Sequence, residues 1–202
     1  MKITIPEDIS DVTLDKYQKY SKLIERTDIN DFEMNKRLVS LFCDIPYRKM
    51  DYVDSKDFAG LVEDIRTAIN KDAKFVDRFT LNNIEYGFIP NFDKLTAKEF
   101  FDLSFYCNDE MSENLNRIMA ILFRPINGKD TFGNYTIESY DGTEDRALAF
   151  MQMKMNVVNG ALVFFSSLAR ELRLNIQKYT KVVQAKVEQL QTISQNGDGT
   201  AH

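Results

Sequence analysis

The groups whose types and spacing could do chemistry in this chain are its carboxylates. Asp51, Asp54 and Asp57 recur at threes, and Asp141, Glu144 and Asp145 form a second cluster, so either set offers the oxygen donors that a hard cation such as Mg²⁺ takes. Converged on one cation, Asp51, Asp54 and Asp57 would suit a metal-dependent phosphotransfer enzyme or nuclease. Both clusters also stand just before helical patterns, where acidic side chains cap the first turn and complement the helix dipole, and that reading is the one adopted. Neither matches an EF-hand loop. Nucleophilic chemistry is poorly supplied: the one histidine is His202, at the end of a polar tail, which removes every Ser/His or Cys/His pair held in a folded site. Cys43 and Cys107 fall within apolar helical patterns and read as buried reduced thiols. Two distant cysteines and one terminal histidine do not close a tetrahedral zinc site, and no G-x-x-x-x-G-K-[ST] phosphate loop occurs. The expectation is therefore no catalytic residue, no cofactor and no metal.

A nucleic-acid-binding module would need Arg37, Arg48, Arg66, Arg78 and Arg124 on one face. The net charge of −5 and a pI near 5.1 argue against that, because binding to a phosphate backbone rests on a dominant basic surface. Phe75, Phe79, Tyr86, Phe88, Phe92, Phe100 and Phe101 supply aromatic rings, but Asp77, Glu85, Asp93, Glu99 and Asp102 are interspersed, so they read as packing residues rather than base-stacking platforms. No membrane role is expected. The apolar run 157–169 is shorter than the roughly 20 residues of a bilayer span, and acidic Glu7, Asp8 and Asp11 follow the start without an apolar signal segment. Synthesis and residence in a cytoplasm follow as the expectation.

The elements that must position these groups are mostly helical. Lys2–Ile5 reads as a short edge strand ended by Pro6. Thr13 caps a helix with Leu14, Tyr17, Tyr20 and Ile24 on its apolar face. A second helix over 31–43 carries Met34, Leu38, Leu41 and Phe42, and a third from Ser55 carries Phe58, Leu61, Val62, Ile65 and Ile69. Asn82-Asn83 tolerates the left-handed conformations of a two-residue type I′ turn, which pairs Leu81 with Ile84, Phe79 with Tyr86 and Asp77 with Phe88. Thr96 and Glu99 form a capping box for a helix through Phe100, Leu103 and Cys107. Ser112 opens a helix with Leu115, Ile118, Met119 and Leu122, which Pro125 stops. The stretch 127–142 is a loop or short irregular hairpin around Tyr135 and Ile137, and Thr143 opens a helix with Ala147, Phe150 and Met151 on its apolar side.

The longest periodic stretch begins at Asn156. Ala161, Phe165, Leu168, Leu172, Ile176, Tyr179, Val183, Val187 and Leu190 recur with an eleven-residue period, which predicts one helix to Ile193, about 57 Å long. Val158, Leu162 and Phe164 widen the stripe in its first half, whereas beyond Tyr179 only the narrow stripe remains among lysines and glutamines. The predicted architecture is a mainly α (α+β) fold. It is a helical bundle organised on this long C-terminal helix with one β-hairpin, forming a single domain over 1–193. A projecting helical arm spans about 179–193, and 194–202 is expected to be a disordered tail. Tyr179, Val183, Val187 and Leu190 are the candidate partner interface, since an apolar strip on a polar extension is best covered by another chain. Lys178, Lys181 and Lys186 make that segment basic within an acidic protein.

Three segments carry a resemblance. They are Gly87 to Leu103 (GFIPNFDKLTAKEFFDL), Leu115 to Ile126 with its RIMAILFRPI run, and Val157 to Phe165 (VVNGALVFF) with the region Leu168 to Leu172. Together they cover about half the chain. They resemble uncharacterised proteins of tailed bacteriophages, including crAss-like phages of Bacteroidetes. The resemblance implies a non-enzymatic protein of virion or tail assembly in the host cytoplasm. Its partners would be other phage structural proteins or copies of itself, and no catalytic residue carries over. A transient tail-assembly chaperone that never enters the particle is the alternative within the same setting. The first 70 residues and those after Thr180 fall outside the resemblance.

Overall fold

A computed structural model describes residues 4–108 and 110–167. The chain divides into two compact units, Met1–Ala161 and Leu162–His202.

The first unit opens with three helices, each started by a side-chain cap. Thr13 Oγ1 accepts from the Lys16 amide (3.4 Å) at the head of α1 (Leu14–Ile24). Asn30 Oδ1 accepts from Glu33 (2.9 Å) ahead of α2 (Asp31–Phe42), and Asp54 Oδ1 from Lys56 (2.8 Å) ahead of α3 (Ser55–Ile69). These bonds satisfy amides that a helix start leaves without intrahelical partners. A 3-10 turn over Tyr47–Tyr52 joins α2 to α3. The buried side of α1 is Leu14, Gln18 and Leu23 rather than the predicted Leu14, Tyr17, Tyr20 and Ile24; Ile24 is exposed. The Gln18 amide explains the rotation, because its Nε2 donates to the carbonyls of Ser112 (3.2 Å) and Glu113 (2.7 Å). No strand forms at Thr4 and Ile5. The amino-terminal segment instead makes an antiparallel bridge from Thr13 to Lys154, with Leu14 N donating to Met153 O (2.8 Å) and Met155 N to Val12 O (2.9 Å).

The sheet follows. Strands β1 (Arg78–Leu81) and β2 (Ile84–Phe88) pair with Leu81 opposite Ile84 and Phe79 opposite Tyr86, and Phe88 N donates to Asp77 O (2.8 Å), which is the register set by the turn. Asn82 and Asn83 take φ of 51° and 63°, the left-handed values that turn demands. Then come α4 (Ala97–Asn108) and α5 (Leu115–Leu122), and α5 runs without a loop into β3 (Phe123–Lys129), which pairs with β2 on one side and β4 (Tyr135–Ile137) on the other.

This corrects the expected bundle with one hairpin. The architecture is α+β, with a four-stranded antiparallel sheet ordered β1-β2-β3-β4. Pro125 stops α5 but does not end the regular structure. Its carbonyl accepts from Glu138 N (3.0 Å), just past the end of β4, so its ring nitrogen also faces that side, and the missing N–H leaves the ladder with β2 intact. Nor is the C-terminal helix the organising element. Ile118, Met119, Ala120, Ile121, Leu122 and Phe123 are fully buried, so α5 and its exit strand fill the centre. α6 (Glu144–Phe150) packs on α5, and Phe79, Tyr86, Phe123 and Phe150 join sheet to helices in edge-to-face and stacked contacts between 4.9 and 5.8 Å.

A last helix, α7, occupies 155–167 within the described residues, its part to Ala161 belonging to the first unit; the predicted continuation to Ile193, the arm and the tail lie outside them. In the second unit, Ser166 Oγ and Ser167 Oγ donate back to the carbonyls of Leu162 and Val163, at 2.8 and 2.9 Å. In the first unit, Met155, Val158 and Ala161 are fully buried, and Gly160 is pressed against backbone: a Cβ there would lie 2.4 Å from Lys74 O and 3.0 Å from Phe75 Cα. Gly160→Ala is expected to lower stability by about 1–3 kcal/mol, since overpacking against main chain outweighs the better helix propensity of alanine. Gly60→Ala, in α3 with open space around it, should instead gain about 0.5–1 kcal/mol. Thermal melts of the two variants shifting in the same direction would contradict this.

Candidate functional site

The predicted carboxylate clusters are dispersed into local contacts. Asp51 holds the nearly buried Lys36 ammonium at 2.6 Å, and the same ammonium lies 4.4 Å above the Tyr47 ring, so this pair closes the junction of α2 with the 3-10 turn. Asp54 is the cap of α3, and Asp57 lies exposed in its first turn. In the second cluster Asp141 pairs with Arg146 (3.1 Å) and Glu144 with Arg117 (3.4 Å). An open recess of about 140 Å³ is lined by Asp141 to Arg146. Among the described residues no three His, Cys, Asp or Glu side chains converge as a metal site. The five arginines do not form one exposed face, because Arg124 is buried; Arg48 is exposed, Arg37 pairs with Glu33 (2.8 Å), Arg66 donates to Asn35 (3.1 Å), and Arg78 pairs with Asp77 (3.4 Å). Burial pushes the Cys43 thiol up to about 11 and raises that of Cys107, so neither is poised as a thiolate nucleophile. No helix among the described residues is long and apolar enough to cross a membrane. Tyr179, Val183, Val187 and Leu190 lie outside the described residues.

Two features of α4 escaped the sequence pattern. The first is a buried ionic cluster beneath it. The capping box forms as predicted, with Thr96 N and Oγ1 donating to Glu99 Oε2 (2.6 and 2.7 Å) and Glu99 N to Thr96 Oγ1 (3.2 Å). Glu99 does more than cap: it is 2% exposed, and its Oε1 receives Arg124 Nη2 at 2.7 Å, Arg124 being 7% exposed. Around the pair, Tyr140 OH donates to Asp102 Oδ2 (2.7 Å), and Lys98 Nζ donates to Asp141 O (3.1 Å) while sitting 5.2 Å from the Tyr140 ring. Arg146 donates through Nε to Ala120 O (3.3 Å) and also to Gly142 O. Burial, with the Asp102 carboxylate adding to it, pushes the Tyr140 phenol far above its ordinary value, and burial pulls the Arg124 guanidinium down against the opposing Glu99 charge. Every charged side chain of the described α4, Lys98, Glu99 and Asp102, is thereby drawn toward the loop 138–143 and β3.

The second feature is the consequence for the opposite side. Phe100, Phe101 and Phe105 are 59%, 68% and 64% exposed, with the first two rings in edge contact at 6.1 Å. The sequence pattern assigned Phe100 to the core beside Leu103 and Cys107, yet of those three only Leu103 is buried. The signal that would have placed it is Glu99. A capping glutamate four residues before Leu103 lies on the same helical face as that leucine, so if Leu103 points inward Glu99 does too and Phe101 points out. What the outer side of α4 offers is a set of exposed aromatic rings, Phe100, Phe101 and Phe105, with Lys98 beside them. Comparison with family models, with curated proteins and with solved structures finds no match for the chain.

Proposed function

We propose that the chain is a non-enzymatic bacteriophage protein of virion or tail assembly that works through protein–protein contacts. The observation that carries this reading is the outer face of α4. Three phenylalanine rings left about two-thirds in water forgo on the order of 1–2 kcal/mol each of burial, on a helix whose two carboxylates, Glu99 and Asp102, turn toward Arg124 and Tyr140. Contiguous exposed aromatic surface of this kind marks contact sites on soluble proteins, and aromatic rings concentrate where binding energy does. The phage setting rests on the resemblance of Gly87 to Leu103, which contains the first half of α4, to proteins of tailed phages. Quantitative mass spectrometry of purified virions and of tail-assembly intermediates is the test. The chain is expected in one or both, at stoichiometric rather than trace level. Presence on intermediates alone identifies a transient chaperone. Absence from both, with normal particles formed when the chain is deleted, overturns the proposal.

A further inference from the structure

We propose that Asn127 is a site of spontaneous backbone cyclisation, where the chain converts its own asparagine to aspartate or isoaspartate without an enzyme. The inference goes beyond the assembly reading and holds or fails independently of it.

Three Asn-Gly pairs occur in the chain, at 127–128, 159–160 and 196–197, the last outside the described residues. The pairing matters because the glycine amide nitrogen attacks the side-chain carbonyl of the residue before it, and glycine has no side chain to block that approach. The fold treats the two described pairs differently. Asn159 lies inside α7, where amides are held in bonds to the preceding turn, and Gly160 is pressed against Lys74 O. Asn127 is exposed in β3, at the shift between Ile126 and Gly128 that leaves it outside the register with β4.

Thr136 of β4 brings the reacting groups together. Its Oγ1 donates to Asn127 Oδ1 at 2.7 Å, and the same oxygen would lie 2.8 Å from a Cβ placed on Gly128. The Asn127 carboxamide is therefore held on the side of its own C-terminal neighbour. The hydroxyl also draws electron density from Cγ and stabilises the oxyanion that forms as the carbonyl is attacked. Gly128 is paired with Thr136, so its amide must first leave the ladder. β4 has three residues and ends the sheet, and a short edge of this kind opens at little cost. The close approach of Thr136 also keeps position 128 a glycine.

The step balances as a hydrolysis. Gly128 N bonds to Asn127 Cγ and gives up its proton, the Cγ–Nδ2 bond breaks, and the side-chain nitrogen leaves as ammonia carrying that proton. Water then opens the cyclic imide at either carbonyl, which gives aspartate or isoaspartate. Both products add a negative charge to β3. Isoaspartate also routes the main chain through an extra methylene, which displaces Gly128 and Lys129 from their partners Thr136 and Tyr135. The reaction is thus a clock on the β3–β4 edge.

Peptide mapping by mass spectrometry tests this on the full chain incubated at mildly alkaline pH, with isoaspartate distinguished by electron-transfer fragmentation. In the folded chain Asn127 should convert, and Asn159 should convert about tenfold more slowly or less, because α7 must open first. In denaturing urea the two should react alike. Thr136→Val should slow conversion of Asn127 about threefold to tenfold, the worth of one hydrogen bond, and Thr136→Ser should restore the parent rate. Asn127 surviving in the folded chain as long as Asn159 overturns the inference. So does a Thr136→Val chain that reacts as fast as the parent, or a Thr136→Ser chain that reacts as slowly as Thr136→Val.

Discussion

Replacing Glu99 by alanine is expected to cost about 3–5 kcal/mol of stability, the largest single effect in the cluster beneath α4. The carboxylate is buried and accepts three bonds, two from Thr96 and one from Arg124. Arg124 is buried as well, and its Nε has no hydrogen-bond partner, so the guanidinium depends on Glu99 for the charge that keeps it inside. Removing Glu99 strands that cation and also takes away one half of the capping box. The reverse half of the cycle separates the causes. Arg124→Met leaves the glutamate with its Thr96 bonds and one open lone pair, and Glu99→Leu with Arg124→Met replaces the pair by apolar groups of similar volume. The double variant should recover most of what Glu99→Ala loses, because buried ion pairs replaced whole are often close to neutral. Urea titration measures all three. The midpoint should fall steeply for Glu99→Ala with the slope unchanged. A loss under about 1 kcal/mol would mean that Arg124 finds water without Glu99 and that the pair is not a buried one.

How much of this could be read from residues alone differs from element to element, for physical reasons. The β1–β2 register was legible because a two-residue turn with φ > 0 at both positions leaves one pairing, and Asn82-Asn83 is among the few dipeptides that fit it. The Thr96–Glu99 box was legible for the same reason: its bonds are local. What was not legible depends on contacts between segments far apart in sequence. Arg124 was counted among cations that might share a surface, and it is buried because Glu99, 25 positions earlier, meets it across α4 and β3. Phe123 to Lys129 carries Pro125, Asn127 and Gly128, none of which favours a strand. It becomes one because β2 has a free edge of hydrogen-bonding groups, and the shift between Ile126 and Gly128 lets Asn127 sit outside the register with β4. The α4 face shows the limit of periodicity. In α4 the charged Lys98, Glu99 and Asp102 share one side, which spacing alone would turn to water, and the buried Glu99–Arg124 pair turns the Glu99 edge of it inward instead. The site inherits that limit: the aromatic face was present in the sequence as residues but not as a surface.

Phe150→Ala is expected to lower stability by about 3–5 kcal/mol, and to do so by detaching α6 rather than by opening a hole alone. The ring is fully buried and meets Tyr86 at 4.9 Å and Phe79 at 5.8 Å, both in edge-to-face geometry, so its loss removes aromatic contacts as well as buried area. α6 has seven residues, and its Thr143 cap makes no side-chain hydrogen bond, so the helix has little stability of its own. What holds it is Phe150 and Ala147 on its inner side, Asn116 Nδ2 donating to Ala147 O at 3.2 Å, and Arg146 reaching Ala120 O. Arg146 also donates to Gly142 O and pairs with Asp141; the neighbouring Tyr140 OH donates to Asp102 of α4, and Asp141 O accepts from Lys98 of α4. Loosening α6 therefore reaches the polar contacts that Lys98 and Asp102 of α4 make. The melting temperature should fall by roughly 10 °C, taking about 2–4 °C per kcal/mol for a chain of this size. Leu148→Ala, 78% exposed on the same helix, should leave it within about 1–2 °C of the parent. Amide exchange discriminates the mechanism. Loss of protection confined to Ala147–Met151 and spreading to 138–143 supports detachment, whereas uniform loss across β1, β2 and α5 with α6 still protected would show that the ring matters only as core volume.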